Sequence, residues 1–208
     1  MNKMTEIELI VTYLCNWSCD FCAVDTHNKP LINREDLENK LQKIDDMREE
    51  NLAVTISGGE PGLLSEEIIL YILDYLDILG ASISLNTNGL FLEKYPNLIE
   101  RFDYILYHCS ESLDFSDVKM YENSKIDYMI VVNDTNFKNY TDFMDRFAKT
   151  GKEIDVIPAT YADGGLDKIL SPKNRNRLLV SKKNYPFISE KSLKWIITER
   201  NYDEIIYI

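Results

Sequence analysis

Four cysteines are present, and three of them fall within eight residues, in the run Cys15-Asn16-Trp17-Ser18-Cys19-Asp20-Phe21-Cys22. Thiolates are soft metal ligands, and a tight cluster suits a metal centre better than a disulfide framework, which would spread its pairs along a secreted chain. An iron-sulfur cubane normally takes four thiolates, so a loop supplying three would leave one iron open to a further ligand. Zinc is the other reading, its tetrahedron completed by Cys109 or by His27 and His108, the two histidines of the chain. Zinc sites usually come in paired halves at characteristic spacings, and no second half is visible.

Two glycine-bearing segments follow the cysteines: Ser57-Gly58-Gly59-Glu60-Pro61 and Leu85-Asn86-Thr87-Asn88-Gly89. Paired glycines let a backbone approach a ligand closely, because no β-carbon stands in the way. Glu60 offers either charge for a ligand or a brace for its own loop. Further along, Tyr107-His108-Cys109-Ser110 places an imidazole, a thiol and a hydroxyl at one strand end. Strand alternation that turns His108 and Ser110 inward turns Cys109 outward. A basic stretch at 171–183 carries Lys173, Arg175, Arg177, Lys182 and Lys183, suited to a carboxylate or phosphate, to an acidic partner, or to nothing beyond a solvated surface.

These groups need a scaffold, and the chain alternates strand-like with helix-like segments, the order of a parallel α/β fold. Strands are expected at Ile7 to Tyr13, Leu52 to Ser57, Ala81 to Asn86, Asp103 to Cys109, Ile126 to Val132 and Glu153 to Pro158. Helices are expected over 34 to 50, capped by Asn33 with Leu37, Leu41, Ile44 and Met47 on one face, over Ser65 to Leu79 stopped by Gly80, and over Phe137 to Thr150 stopped by Gly151. A last helix is expected at Ser189 to Arg200, followed by a short apolar end at Glu204 to Ile208. Six strands with connecting helices make a partial barrel more economical than a closed eightfold one. The cysteines and both glycine segments then sit just past strand ends.

At 208 residues and 45% hydrophobic, the chain suits one domain with a substantial core. The net charge of −12 excludes a general nucleic-acid binder, which would need Lys and Arg to neutralise phosphates. The charge is uneven: residues 171–208 hold eight basic and four acidic side chains (+4), residues 1–170 the remaining 15 and 31 (−16). The first 14 residues lack the basic start and apolar run of a secretory signal, and no apolar run approaches the ~18 to 20 residues of a membrane span. A cytoplasmic protein without membrane attachment is the expectation.

The cysteine run resembles the C-x-x-x-C-x-aromatic-C signature of the radical S-adenosylmethionine superfamily, with Phe21 at the aromatic position. Ser57 to Pro61 is similar to the family's GGE motif, Leu85 to Gly89 follows in the same order, and Ile130 to Phe137 looks like the fifth strand and turn of many members. The resemblance covers about residues 7–160. It implies a partial (β/α)6 barrel, a single radical S-adenosylmethionine domain over 1–208 with 161–208 as a C-terminal extension, and one 4Fe-4S cluster on Cys15, Cys19 and Cys22. With Cys109 the only cysteine after Cys22, no auxiliary-cluster domain is expected.

It further implies S-adenosylmethionine on the open iron, held by Ser57, Gly58, Gly59, Glu60, Pro61 and Asn86, with backbone around Phe21 at the adenine and Ser110 and Asn133 reaching the ribose or carboxylate. The implied chemistry is oxygen-sensitive reductive cleavage of the sulfonium to a 5′-deoxyadenosyl radical, which takes a hydrogen atom from substrate. In that setting His108 is a candidate substrate contact, Cys109 a candidate hydrogen-atom donor, and Lys173, Arg175 and Arg177 a candidate anion site. Electrons would come from a flavodoxin- or ferredoxin-type donor. The expected substrate is a peptide or protein side chain; a nucleotide, sugar or amino acid is the alternative, and a non-catalytic iron-sulfur scaffold or electron carrier the alternative of another class.

Overall fold

The computed structural model describes residues 4–19, 22, 32–47, 51–109, 118–159, 170–181, 183–190, 192 and 206–207. The chain divides into two compact units, one of residues 1–16, 24–106 and 202–208, the other of residues 17–23 and 107–201. The expected contacts of Phe21 and Ser110, and most of the expected helix at 189–200, lie outside the described residues.

In the first unit β1 (Met4–Thr12), β2 (Asn51–Gly58) and β3 (Ser82–Thr87) run parallel. Period-two burial is plain: Ile7, Leu9 and Val11 of β1, Val54 and Ile56 of β2, and Ile83 and Leu85 of β3 are all at most 3% exposed. The register of β1 on β2 slips between Ile10, opposite Ser57, and Thr12, opposite Gly58. Val11 is the extra residue of a bulge, and Val11 and Thr12 are buried in succession where alternation would expose one. On the other edge of β1, β7 (Ile206–Tyr207) adds a short parallel strand, within the apolar end expected from sequence.

Helix α1 (Arg34–Met47) starts at Asn33 as expected. Asn33 Oδ1 accepts from the Asp36 N–H at 2.9 Å, and Asp36 Oδ2 accepts in return from the Asn33 N–H at 3.1 Å. Leu37, Leu41 and Ile44 are buried, whereas Met47 lies 38% exposed at the helix end. Helix α2 (Glu66–Ile78) is capped by Ser65 and buries Ile69, Ile72, Leu73 and Leu76. After β3 comes a helix not foreseen from sequence, α3 (Leu90–Lys94), and then a 3-10 helix at Pro96–Arg101. Phe91 seats both, meeting Tyr95 and Phe102 edge-on at 5.4 and 5.5 Å between ring centroids.

Strand β4 (Tyr104–His108) begins in the first unit, where the Asp103 N–H bonds the Ile83 carbonyl at 2.8 Å. It ends in the second, where the Cys109 N–H bonds the Met129 carbonyl at 2.9 Å. There β5 (Ile126–Val132) and β6 (Ile154–Pro158) pair in parallel from Tyr128 opposite Ile154 to Val132 opposite Pro158. Between them the expected helix divides into 3-10 turns at 137–139 and 148–150 around α4 (Tyr140–Phe147), whose Tyr140, Phe143, Met144 and Phe147 are buried. The basic stretch folds as α5 (Pro172–Ser181). The fold class is the expected one, an α/β chain of parallel strands alternating with helices.

Candidate functional site

The C-terminal ends of β1, β2 and β3 carry the first unit's share of the site, as strand ends do in parallel α/β folds. The loop after β1 is stitched to the loop after β2 by backbone alone: the Gly59 N–H donates to the Thr12 carbonyl and the Glu60 N–H to the Leu14 carbonyl, both at 2.7 Å. A β-carbon on Gly59 would fall on the Leu14 carbonyl, and one on Gly58, whose φ is +125°, on the Thr12 carbonyl. The paired glycines therefore make room for the chain leading into Cys15. On the Cβ side of both glycines the approaching group is the protein's own loop.

Glu60 is fully buried, and its carboxylate is the hub of the two loops. Oε1 accepts from the Gly62 N–H at 2.8 Å and the Phe91 N–H at 3.2 Å, and Oε2 from the Asn88 N–H at 2.7 Å. The Thr87 hydroxyl lies 2.9 and 3.0 Å from the two oxygens, and its own oxygen accepts from the Gly89 N–H at 3.0 Å. Burial pushes the carboxyl above the usual carboxylate range, while the donors from Asn88, Gly62, Thr87 and Phe91 pull it back. Of the two sequence readings of Glu60, this is the brace. Ser57, 6% exposed, and Pro61, opening the 3-10 turn Pro61–Leu63, are buried beside it in the chain.

Asn86 is half-buried on β3 between Leu85 and Thr87, which point to the buried face. The asparagine that reaches the cysteine loop is Asn88, two residues on and not singled out from sequence. Its Nδ2 lies 3.7 Å from Cys15 Sγ and 2.9 Å from Asn16 Oδ1. Asn88 and Asn86 share the parity of the strand, so the spacing alone did not separate them; the turn after Thr87 does.

In the second unit the Cys22 N–H folds back on the Cys19 carbonyl at 3.1 Å. Cys15 and Cys19 are half-buried, Cys22 is exposed, and all three are thiols rather than disulfides. By ligand type the three cysteines suit an iron-sulfur cluster, being soft sulfur donors with a tight turn between Cys19 and Cys22, but the described residues bring no three such side chains within reach of one ion.

At the end of β4 the His108 Nε2 is buried without a hydrogen-bond partner, and burial lowers the imidazole to about 4, so it is neutral at ordinary pH. Cys109 is 1% exposed, and its thiol donates to the Met129 carbonyl at 3.4 Å. Burial pushes that thiol well up, so it stays protonated. After β5, Asn133 is 3% exposed and its Oδ1 accepts from the Asn136 N–H at 2.8 Å, while Asn136 Oδ1 accepts from the Asn133 N–H at 3.0 Å. That reciprocal turn commits the Asn133 side-chain oxygen.

Of the basic set, Lys173 and Arg177 are exposed on α5, and the Arg175 side chain lies outside the described residues. Arg177 stacks 4.9 Å over the Phe137 ring and lines, with Tyr140 and Tyr185, a groove of about 400 Å³. No helix among the described residues is long and apolar enough to cross a membrane.

Known proteins resemble the chain in sequence and in fold. It is 27% identical over 215 residues to a probable GTP 3′,8-cyclase of Methanococcus aeolicus, an alignment covering 88% of this chain and 68% of that protein. Its fold matches native anSMEcpe with bound AdoMet and Cp18Cys peptide at a TM-score of 0.68 and 14% identity, over 88% of this chain and 60% of that one. It also matches Streptococcus suis SuiB bound to precursor peptide SuiA at a TM-score of 0.53 and 14% identity, over 100% of this chain and 49% of that one. The chain thus spans 60% and 49% of the lengths of these two solved structures. At that identity the likeness is one of fold. Residues 9–110, which contain the three clustered cysteines, the Glu60 hub and Asn88, match the family model described as Radical SAM superfamily.

Proposed function

We propose that this chain is a radical S-adenosylmethionine enzyme, one domain over 1–208, with a single 4Fe-4S cluster on Cys15, Cys19 and Cys22. The observation that carries the reading is the thiol trio after β1, backed by the backbone seam to Gly59 and the Glu60 hub inside a matched family domain. When bound, the cluster and S-adenosylmethionine supply reductive cleavage of the sulfonium and a hydrogen-abstracting 5′-deoxyadenosyl group.

The protein's own part is placement. Thr12, Leu14, Gly59 and Glu60 fix the entry to Cys15 through main-chain bonds, so the first ligand does not depend on a flexible side chain. The strand-end backbone of Ser57, Gly58 and Gly59, together with Asn86, Asn133 and, by resemblance, Phe21 and Ser110, are the groups assigned to S-adenosylmethionine, with Glu60 and Pro61 holding their loop. Neutral His108 is assigned to a substrate hydrogen bond. Cys109, with its S–H engaged on Met129, is assigned to packing in the resting chain. Lys173, Arg175 and Arg177 are assigned to an anionic group, and a flavodoxin- or ferredoxin-type protein to electron delivery.

A peptide or protein side chain is the substrate class favoured, supported by the peptides in the anSMEcpe and SuiB structures. A small metabolite is the second reading, favoured by the sequence relative named as a GTP cyclase. Anaerobic reconstitution tests the central claim: the wild-type chain should bind iron and sulfide and release 5′-deoxyadenosine with S-adenosylmethionine and dithionite. Replacing Cys15, Cys19 or Cys22 by Ala should abolish that release; a zinc-loaded colourless chain, or release undiminished in such a variant, would reject it. Deuterium transfer from labelled peptides or nucleotides into 5′-deoxyadenosine separates the two substrate classes.

A further inference from the structure

We infer that Asn88 donates an N–H···S hydrogen bond to Cys15 and so sets how readily the cluster accepts an electron. The inference rests on the proposed cluster and adds a residue that tunes it. A primary amide has two N–H donors and one oxygen. All are accounted for around Asn88: Oδ1 accepts from the Leu90 N–H at 3.3 Å, and Nδ2 reaches Asn16 Oδ1 at 2.9 Å and Cys15 Sγ at 3.7 Å. The Leu90 N–H can only be met by an oxygen, which fixes the orientation of the amide and puts nitrogen, not oxygen, on the sulfur.

Asn88 is itself held in place, because its own N–H is bonded to the buried Glu60 carboxylate at 2.7 Å. The donor is therefore on a rigid support. An N–H aimed at a ligand thiolate draws charge from the sulfur and favours the more negative, reduced cluster, and hydrogen bonds to sulfur are among the determinants of cluster potential. Asn88 acts through Cys15, so it is a positioning and tuning residue.

The test compares anaerobically reconstituted wild type with Asn88→Ala and Asn88→Asp, without substrate, in a dye-mediated redox titration followed by electron paramagnetic resonance. At the solution potential that half-reduces the wild type, the reduced-to-oxidised ratio should fall about tenfold in Asn88→Ala, equivalent to 59 mV for one electron. It should fall further in Asn88→Asp, which keeps an oxygen for Leu90 but turns a carboxylate toward the sulfur. Pulsed resonance on wild type carrying 15N-asparagine should show a weak nitrogen coupling that Asn16→Ala preserves.

That coupling is read on wild type and decides the matter even where a variant loads no cluster. Its absence, or loaded variants with a ratio within twofold of wild type, overturns the Asn88 role while leaving the cluster standing. A wild-type chain that takes up no iron and sulfide overturns both.

Discussion

Two buried polar groups, the Glu60 carboxylate and the His108 Nε2, treat burial in opposite ways. Glu60 has no exposed surface and collects N–H groups from Gly62, Asn88 and Phe91 and the hydroxyl of Thr87. His108 has a sealed Nε2 and nothing on it. A buried carboxylate without donors would neutralise or move; with these it ties the β2 loop to the β3 loop and to α3. A buried imidazole nitrogen without a partner costs stability, so the two groups contribute to the fold with opposite sign.

The comparison can be broken most forcefully at Glu60. Glu60→Ala strands the donors and opens a cavity, and should cost about 4 kcal/mol of unfolding free energy in denaturant titrations, near the upper range for single changes. A loss below ~1 kcal/mol would show that the hub is dispensable.

His108 predicts an acid effect of opposite origin. Its folded value is lowered to about 4, against about 6.5 unfolded, so between those values the unfolded chain binds a proton that the folded chain refuses. The contribution of neutral His108 is complete above pH ~6.5, declines as pH falls and levels off below ~4, amounting to up to about 3 kcal/mol. His108→Leu should remove that part of the pH dependence, read as the difference between wild-type and variant unfolding curves from pH 7 to 4.

Thr87→Val removes the hydroxyl that bridges Glu60 and the Gly89 N–H, and should cost about 2 kcal/mol while leaving the pH profile in place. Smallest is the gain expected from His108→Leu at pH 7, about 1 kcal/mol, because the unpartnered nitrogen goes. A loss there instead would mean that the imidazole supports the fold.

The strands were legible because alternation and parallel pairing leave a periodic record: β5 has the expected bounds, and β1, β2, β3, β4 and β6 differ from theirs by a few residues at the ends. Helix α3 left no such record. Five residues complete little more than one turn, and what holds them is the distant Glu60 carboxylate at the Phe91 N–H and the ring packing of Phe91. Candidate site residues could be singled out where spacing carries them, in Cys15, Cys19, Cys22 and the glycine pair. It was not legible where the answer depends on a turn: Asn88 rather than Asn86 meets the cysteine loop because the chain reverses after Thr87. The carbonyl of Leu14 against the Cβ side of Gly59 likewise leaves no local signal, being a contact between residues 45 positions apart.

The bulge at Val11 has a consequence for anyone editing this chain. Removing that one residue would let β1 and β2 zip together without interruption, a local gain in pairing, but every position downstream would shift phase by one and Asn16 would arrive where Cys15 now stands. The irregular strand is in effect a counter, and a smoother sheet would carry the wrong side chain to the place where Cys15 now meets Asn88.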